Sequence, residues 1–84
     1  MWYVYFLKSC RKRWYYVGST NRLSERLEEH NQGQVFSTKS HIPLRLVFAK
    51  EFIYEKDARS YEKKLKNKRI EKEAVIKEIE DSNS

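Results

Sequence analysis

Residues 2–8 (WYVYFLK) are dense in aromatic and β-branched side chains, and residues 14–19 (WYYVGS) repeat that texture; both read as strands. The connector between them, residues 9–13, is polar and basic, which makes the pair a hairpin. It lacks the Gly, Asn or Asp that would name its turn type. Thr20 or Asn21 then offers a helix N-cap, and Leu23, Leu27 and the neighbourhood of His30 follow at helical spacing. Asn31-Gln32-Gly33 ends that helix, with Gly33 able to adopt the left-handed cap conformation. A loop carrying Thr38, Lys39 and His41 runs to Pro43, and residues 44–53 (LRLVFAKEFI) predict a third strand. From Glu55 onward the pattern turns helical. Ala58, Tyr61 and Leu65 form one apolar stripe, and Ile70, Ala74, Val75 and Ile79 another. The break between them is expected at Lys66-Asn67-Lys68-Arg69, where Asn can cap and the apolar register shifts. The order is ββαβα with a further α, an α+β domain built on a small sheet. One domain is expected over residues 1–80, with residues 81–84 as a frayed tail.

Composition narrows the classes. The 84 residues suffice for one small domain with a thin core. The single cysteine, Cys10, excludes an internal disulfide framework and makes a cysteine-based zinc site untenable. No apolar run approaches the roughly 18 residues of a membrane span, and Met1 leads directly into a strand-like run rather than a signal peptide. A cytoplasmic protein without a membrane partner is expected. Lys and Arg number 18 against 12 Asp and Glu, a formal charge of +6, which favours a polyanionic partner, most commonly nucleic acid.

Three groups of residues carry candidate chemistry. Alternate residues of a strand share a face, so Tyr3 and Tyr5 project together and Tyr16 can lie across the hairpin from them. Gly18 is read as the end of the second strand, open to close approach by a backbone or ligand. Tyrosine also simply suits half-buried strands. In the first helix Arg22, Arg26 and His30 are spaced by four and share a face. Arg grips phosphate with paired hydrogen bonds; a solvated stripe balanced by Glu25, Glu28 and Glu29 is the plainer reading. Glu62 lies at the margin of the stripe formed by Ala58, Tyr61 and Leu65. A carboxylate there needs a partner, either a divalent cation or a nearby Lys or Arg. No phosphate-binding glycine loop, paired metal-spaced histidines or Ser-His-Asp set competes with these groups.

Taken in order, these residues resemble the GIY-YIG nuclease family. The likeness is greatest to small single-domain members related to the nuclease module of the excision-repair incision subunit. Tyr3-Val4-Tyr5 matches the first signature triplet loosely, with Tyr3 in place of Gly. Tyr16-Val17-Gly18 matches the second, with Val for Ile. "RLSERLEEHN" supplies the family's Arg-x-x-x-His element as Arg26 and His30, and "ARSYEKKLK" its metal-binding glutamate as Glu62. The likeness implies a three-stranded antiparallel sheet flanked by helices. It further implies phosphodiester hydrolysis dependent on one Mg²⁺ or Mn²⁺ held by Glu62, with DNA favoured over RNA as the nucleic acid and the choice between them left open. Tyr5 or Tyr16 would help activate water, His30 would accept a proton from a tyrosine or position it, and Arg26 would hold the scissile phosphate. Lys39 and His41 on the central loop, Arg11, Lys12 and Arg13 on the hairpin, and Arg22 would grip flanking phosphates beside Gly18. So small a chain has little room for base reading, which leaves place for a recruiting protein partner. The main alternative is a nucleic-acid-binding module that keeps the fold without catalysis.

Overall fold

The computed structural model describes residues 1–82. The strands are β1 (Trp2–Ser9), β2 (Tyr15–Thr20) and β3 (Leu44–Phe52); the helices are α1 (Leu23–Asn31), α2 (Glu55–Asn67) and α3 (Arg69–Ser82), with a short 3-10 turn at Lys39–His41. The strands form one antiparallel sheet in the order β2-β1-β3. This is the three-stranded α+β architecture expected from the sequence.

The central strand explains the layering. Val4, Tyr5, Phe6 and Leu7 are all essentially inaccessible to solvent. Alternation sends Val4 and Phe6 to one face and Tyr5 and Leu7 to the other, so four consecutive buried residues require cover on both sides. Val4 and Phe6 meet Tyr15, Val17, Ala58, Leu65, Val75, Ile76 and Ile79, the face covered by α2 and α3. Tyr5 and Leu7 meet Leu44, Leu23, Leu27, Tyr16 and Trp14, the face covered by α1. The β1–β3 pairing steps between Phe6↔Phe48 and Leu7↔Leu46, which leaves Val47 as a bulge residue.

Element ends differ from the sequence reading in three places. Neither Thr20 nor Asn21 is the cap of α1; the helix begins after Arg22 without a side-chain cap. Thr20 still belongs to β2, paired with Tyr3, and its hydroxyl accepts a hydrogen bond from the Arg22 amide at 3.0 Å. Gly18 is internal to β2, opposite Tyr5, and does not end the strand. Asp81 and Ser82 belong to the last turn of α3 instead of a frayed tail, because Ile79 is buried and Glu80 is tied to the hairpin; residues 83–84 of that tail lie outside the described residues. The expected terminus of α1 is present, with Gly33 at φ 77°, as is the break between α2 and α3, at Lys68. No helix among the described residues is long and apolar enough to cross a membrane.

Candidate active site

The site forms where the two faces of the sheet meet, along the exposed edge of β2. From the α1 face come Tyr5, Tyr16, Arg26 and His30. From the α2 face come Glu62 and, on β2 itself, Ser19.

His30 occupies the last turn of α1 and is fully buried. The next residue, Asn31, pins that end of the helix by a two-way bond with the Leu44 backbone, at 2.8 Å and 2.7 Å. The His30 ring bridges two hydroxyls. Its Nδ1 is 2.8 Å from Thr38 Oγ1 and its Nε2 is 3.0 Å from Tyr5 Oη. The Thr38 hydroxyl in turn faces the Val35 carbonyl at 3.4 Å, to which it donates. It therefore accepts from His30 Nδ1–H, leaving the Nε2 lone pair to accept from the Tyr5 hydroxyl. Burial, and then the Arg26 charge, push His30 down to about 4. Burial, with Tyr16 nearby, pushes Tyr5 up to about 12 against the opposing pull of Arg26. Both groups are neutral at pH 7, and moving the Tyr5 proton to His30 is strongly uphill.

Gly18 has a specific reason to be glycine. A Cβ there would stand 2.6 Å from Tyr5 Oη, 2.7 Å from Tyr5 Cζ and 3.0 Å from Tyr16 Cε2. What comes close to this backbone is thus the chain's own Tyr5 ring. Tyr16 lies diagonally from Tyr5, with ring centroids 6.3 Å apart, and edge-on to His30 at 5.1 Å. It is half-buried, and its hydroxyl has no hydrogen-bond partner among the described residues. The Arg26 guanidinium, 35% exposed, is held by Glu29 at 3.0 Å and lies near the Tyr5 hydroxyl.

On the other side of the strand edge the Ser19 hydroxyl donates to Glu62 Oε1, and Lys66 Nζ is 2.8 Å from Glu62 Oε2. The Glu62 side chain is 18% exposed, and Lys66 Nζ is also 5.6 Å from the Tyr16 ring centroid. The partner of Glu62 in this structure is therefore the lysine one turn along its own helix. Among the described residues no three His, Cys, Asp or Glu side chains gather into a ready-made cation cage. One mostly buried carboxylate beside a serine hydroxyl nonetheless suits Mg²⁺-type binding, in which waters and substrate phosphate complete the shell.

The expected phosphate-gripping residues separate. His41 stacks on Trp14 at 3.7 Å with the rings 8° from parallel, and Trp14 stacks in turn on Tyr16 at 6.4 Å, so His41 belongs to the site's rim. Its Nδ1 is buried and has no hydrogen-bond partner among the described residues, and burial pushes its pKa down. Lys39 is exposed above the exposed Phe36 ring, 5.2 Å away, and Arg11 is exposed at the hairpin tip. Arg22 shares Glu29 with Arg26, at 3.6 Å. Arg13 is not brought to the site. It bonds Glu80 at 2.8 Å and covers the Tyr15 ring on the α3 side. Three participants were absent from the sequence reading of the site. Ser19 and Lys66 were legible there, Ser19 as the strand neighbour of Gly18 and Lys66 at four residues from Glu62. Thr38 has no local signal, since only closure of its loop brings it to His30.

Comparison with known proteins identifies the family. Residues 1–74 match the family model of the GIY-YIG catalytic domain. A UPF0213 protein of Streptococcus pneumoniae serotype 4 is 37% identical over 83 residues, covering 96% of this chain and 83% of its own length. The UPF0213 protein YazA of Bacillus subtilis is 33% identical over 84 residues, covering 95% of this chain and 83% of its own. A UPF0213 protein of Oceanobacillus iheyensis is 36% identical over 76 residues, covering 88% and 87%. No solved structure matches the chain. With the signature triplets on β1 and β2, the Arg-x-x-x-His element on α1 and the glutamate on α2, the chain belongs to the GIY-YIG nuclease family.

Proposed function

We propose that this protein is a divalent-metal-dependent endonuclease that hydrolyses phosphodiester bonds in nucleic acid, with DNA the favoured substrate. The observation that carries the reading is the convergence of Glu62, Tyr16 and Arg26 on one strand edge, fed by both faces of the sheet. Each group has a task that phosphodiester hydrolysis requires. Arg26, oriented by Glu29, binds the scissile phosphate and offsets charge that builds on it. Tyr16, whose hydroxyl has no hydrogen-bond partner among the described residues, orients the attacking water and takes its proton as a phenolate, its own proton having passed to solvent. Tyr5 and His30, locked as a neutral pair, hold the phosphate-facing surface in shape, with His30 as positioning residue and Tyr5 unsuited to act as the base. Glu62, with Ser19, would hold Mg²⁺ or Mn²⁺, and the bound ion would stabilise charge on the departing oxygen. Family likeness extends the proposal to repair or DNA processing in the cytoplasm, with delivery by a partner protein.

The test is cleavage of labelled single-stranded, duplex and branched DNA and RNA, with Mg²⁺ or Mn²⁺ and with EDTA. Wild type is expected to cleave only with the ion, and Glu62→Ala to bind without cleaving; an equally active Glu62→Ala protein would reject the metal assignment. One observation favours a second reading, a binding module without catalysis. Lys66 neutralises Glu62, so the carboxylate need not repel phosphate. Salt-sensitive binding without cleavage, equal in both proteins, would select that reading.

A further inference from the structure

Glu62 has two companions that differ in what they can yield to a cation. Ser19 is a neutral hydroxyl, and its oxygen keeps lone pairs that can turn toward a metal ion. Lys66 carries only donors and a full charge, so it and a divalent ion cannot share Glu62 Oε2. The two ends of the ion pair are also unequally held. The Glu62 side chain is 18% exposed and fixed on its other oxygen, whereas that of Lys66 is 48% exposed on a flexible stem. When the pair opens, the lysine moves. Its ammonium already stands 5.6 Å from the Tyr16 ring centroid, over the strand edge that faces Arg26 and the proposed phosphate. A cation displaced from Glu62 at that position would meet a substrate phosphate held as the proposed function has it, beside Arg26.

We propose that Lys66 is a positioning residue that guards Glu62. In the free protein it occupies the carboxylate and weakens divalent-ion binding; when nucleic acid arrives it transfers to a substrate phosphate and releases Glu62 to the ion. Ion and nucleic acid then strengthen each other's binding, by the same factor in both directions. The inference rests on the reading of Glu62 as the metal ligand. It makes the free protein a poor metal binder, and it ties assembly of the site to the presence of substrate.

Calorimetric titration with Mn²⁺ alone tests this on wild type, Lys66→Gln, Lys64→Gln and Glu62→Gln proteins. Lys64→Gln removes the same charge from the same helix, but Lys64 reaches Glu71, at 3.9 Å, and not Glu62. Lys66→Gln is expected to bind Mn²⁺ about twofold to fivefold more tightly than wild type, the scale of one half-exposed ion pair, and Lys64→Gln to match wild type. A short phosphorothioate DNA, which resists cleavage, is expected to raise the Mn²⁺ affinity of wild type and to raise that of Lys66→Gln much less. Equal Mn²⁺ affinity in wild type and Lys66→Gln, with binding lost in Glu62→Gln, overturns the role of Lys66 and leaves the metal reading standing. Equal gains in Lys66→Gln and Lys64→Gln reduce the effect to net charge and overturn it as well. Mn²⁺ bound by neither wild type nor Lys66→Gln rejects both readings together.

Discussion

His30 and Tyr5 keep each other neutral, and that neutrality has a pH signature. Unfolded, His30 titrates near its ordinary 6.5; folded, it is pushed down to about 4. Between those values the unfolded chain binds more protons than the native one. The contribution is complete above pH 6.5 and is lost as pH falls toward 4, by on the order of 3 kcal/mol. Tyr5 acts at the opposite end, because its pKa rises from 10.0 to about 12: its contribution is complete below pH 10 and is lost as pH climbs to 12. Urea midpoints measured from pH 7 down to pH 4 are expected to fall for wild type and to fall less for His30→Gln; parallel curves would show that His30 is not held neutral by the fold. At this scale the site was legible unevenly. Tyr5, Tyr16, Arg26, His30 and Glu62 were named from helical and strand spacing and from family likeness, and the fold gathers them at one edge. In the sequence Thr38 stands only as a loop residue with no site role, because its bond to His30 spans a loop without periodicity. The tight fit of Gly18 under the Tyr5 ring also needed the register, Tyr5↔Gly18, which no single strand reveals.

At the scale of elements, two neighbouring tyrosines of β2 separate packing from chemistry. Tyr15 and Tyr16 point to opposite faces. Tyr15 joins the core under α2 and α3, and its hydroxyl donates to Glu80 of α3 at 2.9 Å. Tyr16 faces α1 beside His30. Tyr15→Phe is therefore expected to cost about 1 kcal/mol of stability, the value of one hydrogen bond, and to leave cleavage unchanged. Tyr16→Phe is expected to fold like wild type and to lose cleavage. Denaturant unfolding paired with the nuclease assay checks both, and a Tyr15→Phe protein that folds but does not cleave would move the reaction to the other face. The strands and helices themselves are legible where burial follows periodicity. β1 reads as a continuous apolar run because both its faces are covered, and the α2 stripe is buried at Ala58 and Leu65. The stripe expected in α3 is buried only at Val75 and Ile79; Ile76 completes it, while Ala74 is exposed and Ile70 is 85% exposed, because the first turn of α3 lies outside the core. Their ends were less legible. The start of α1 has no side-chain cap to announce it, and the last turn of α3 is held by a contact to Tyr15 and Arg13, 65 and 67 residues away in sequence.

Over the whole molecule, the formal charge of +6 indicates that a polyanion is favoured but not which cations meet it. The fold divides them. Arg11 at the hairpin tip and Lys39 in the 3-10 turn are exposed, and the two loops they occupy are joined by the Cys10 amide bonding to the Pro43 carbonyl at 2.9 Å. The Trp14–His41 stack bridges the same two segments and leads to Tyr16, so both loops border one side of the site. Arg13, one turn of the hairpin away, faces α3 and is neutralised by Glu80. Each phosphate contact releases counterions, so losing one flattens the dependence of log binding constant on log salt by about 0.7 to 0.9. Arg11→Ala and Lys39→Ala are each expected to flatten the slope by about that amount. Arg13→Ala is expected to leave it unchanged, although all three variants lose the same charge. Binding of a labelled oligonucleotide across a salt series, with EDTA present to prevent cleavage, makes the comparison. Equal flattening in all three would mean that nucleic acid senses only the net charge of the domain. A loss confined to Arg11 and Lys39 would place the path of the backbone along the hairpin tip and the 3-10 loop, past the Tyr16 edge.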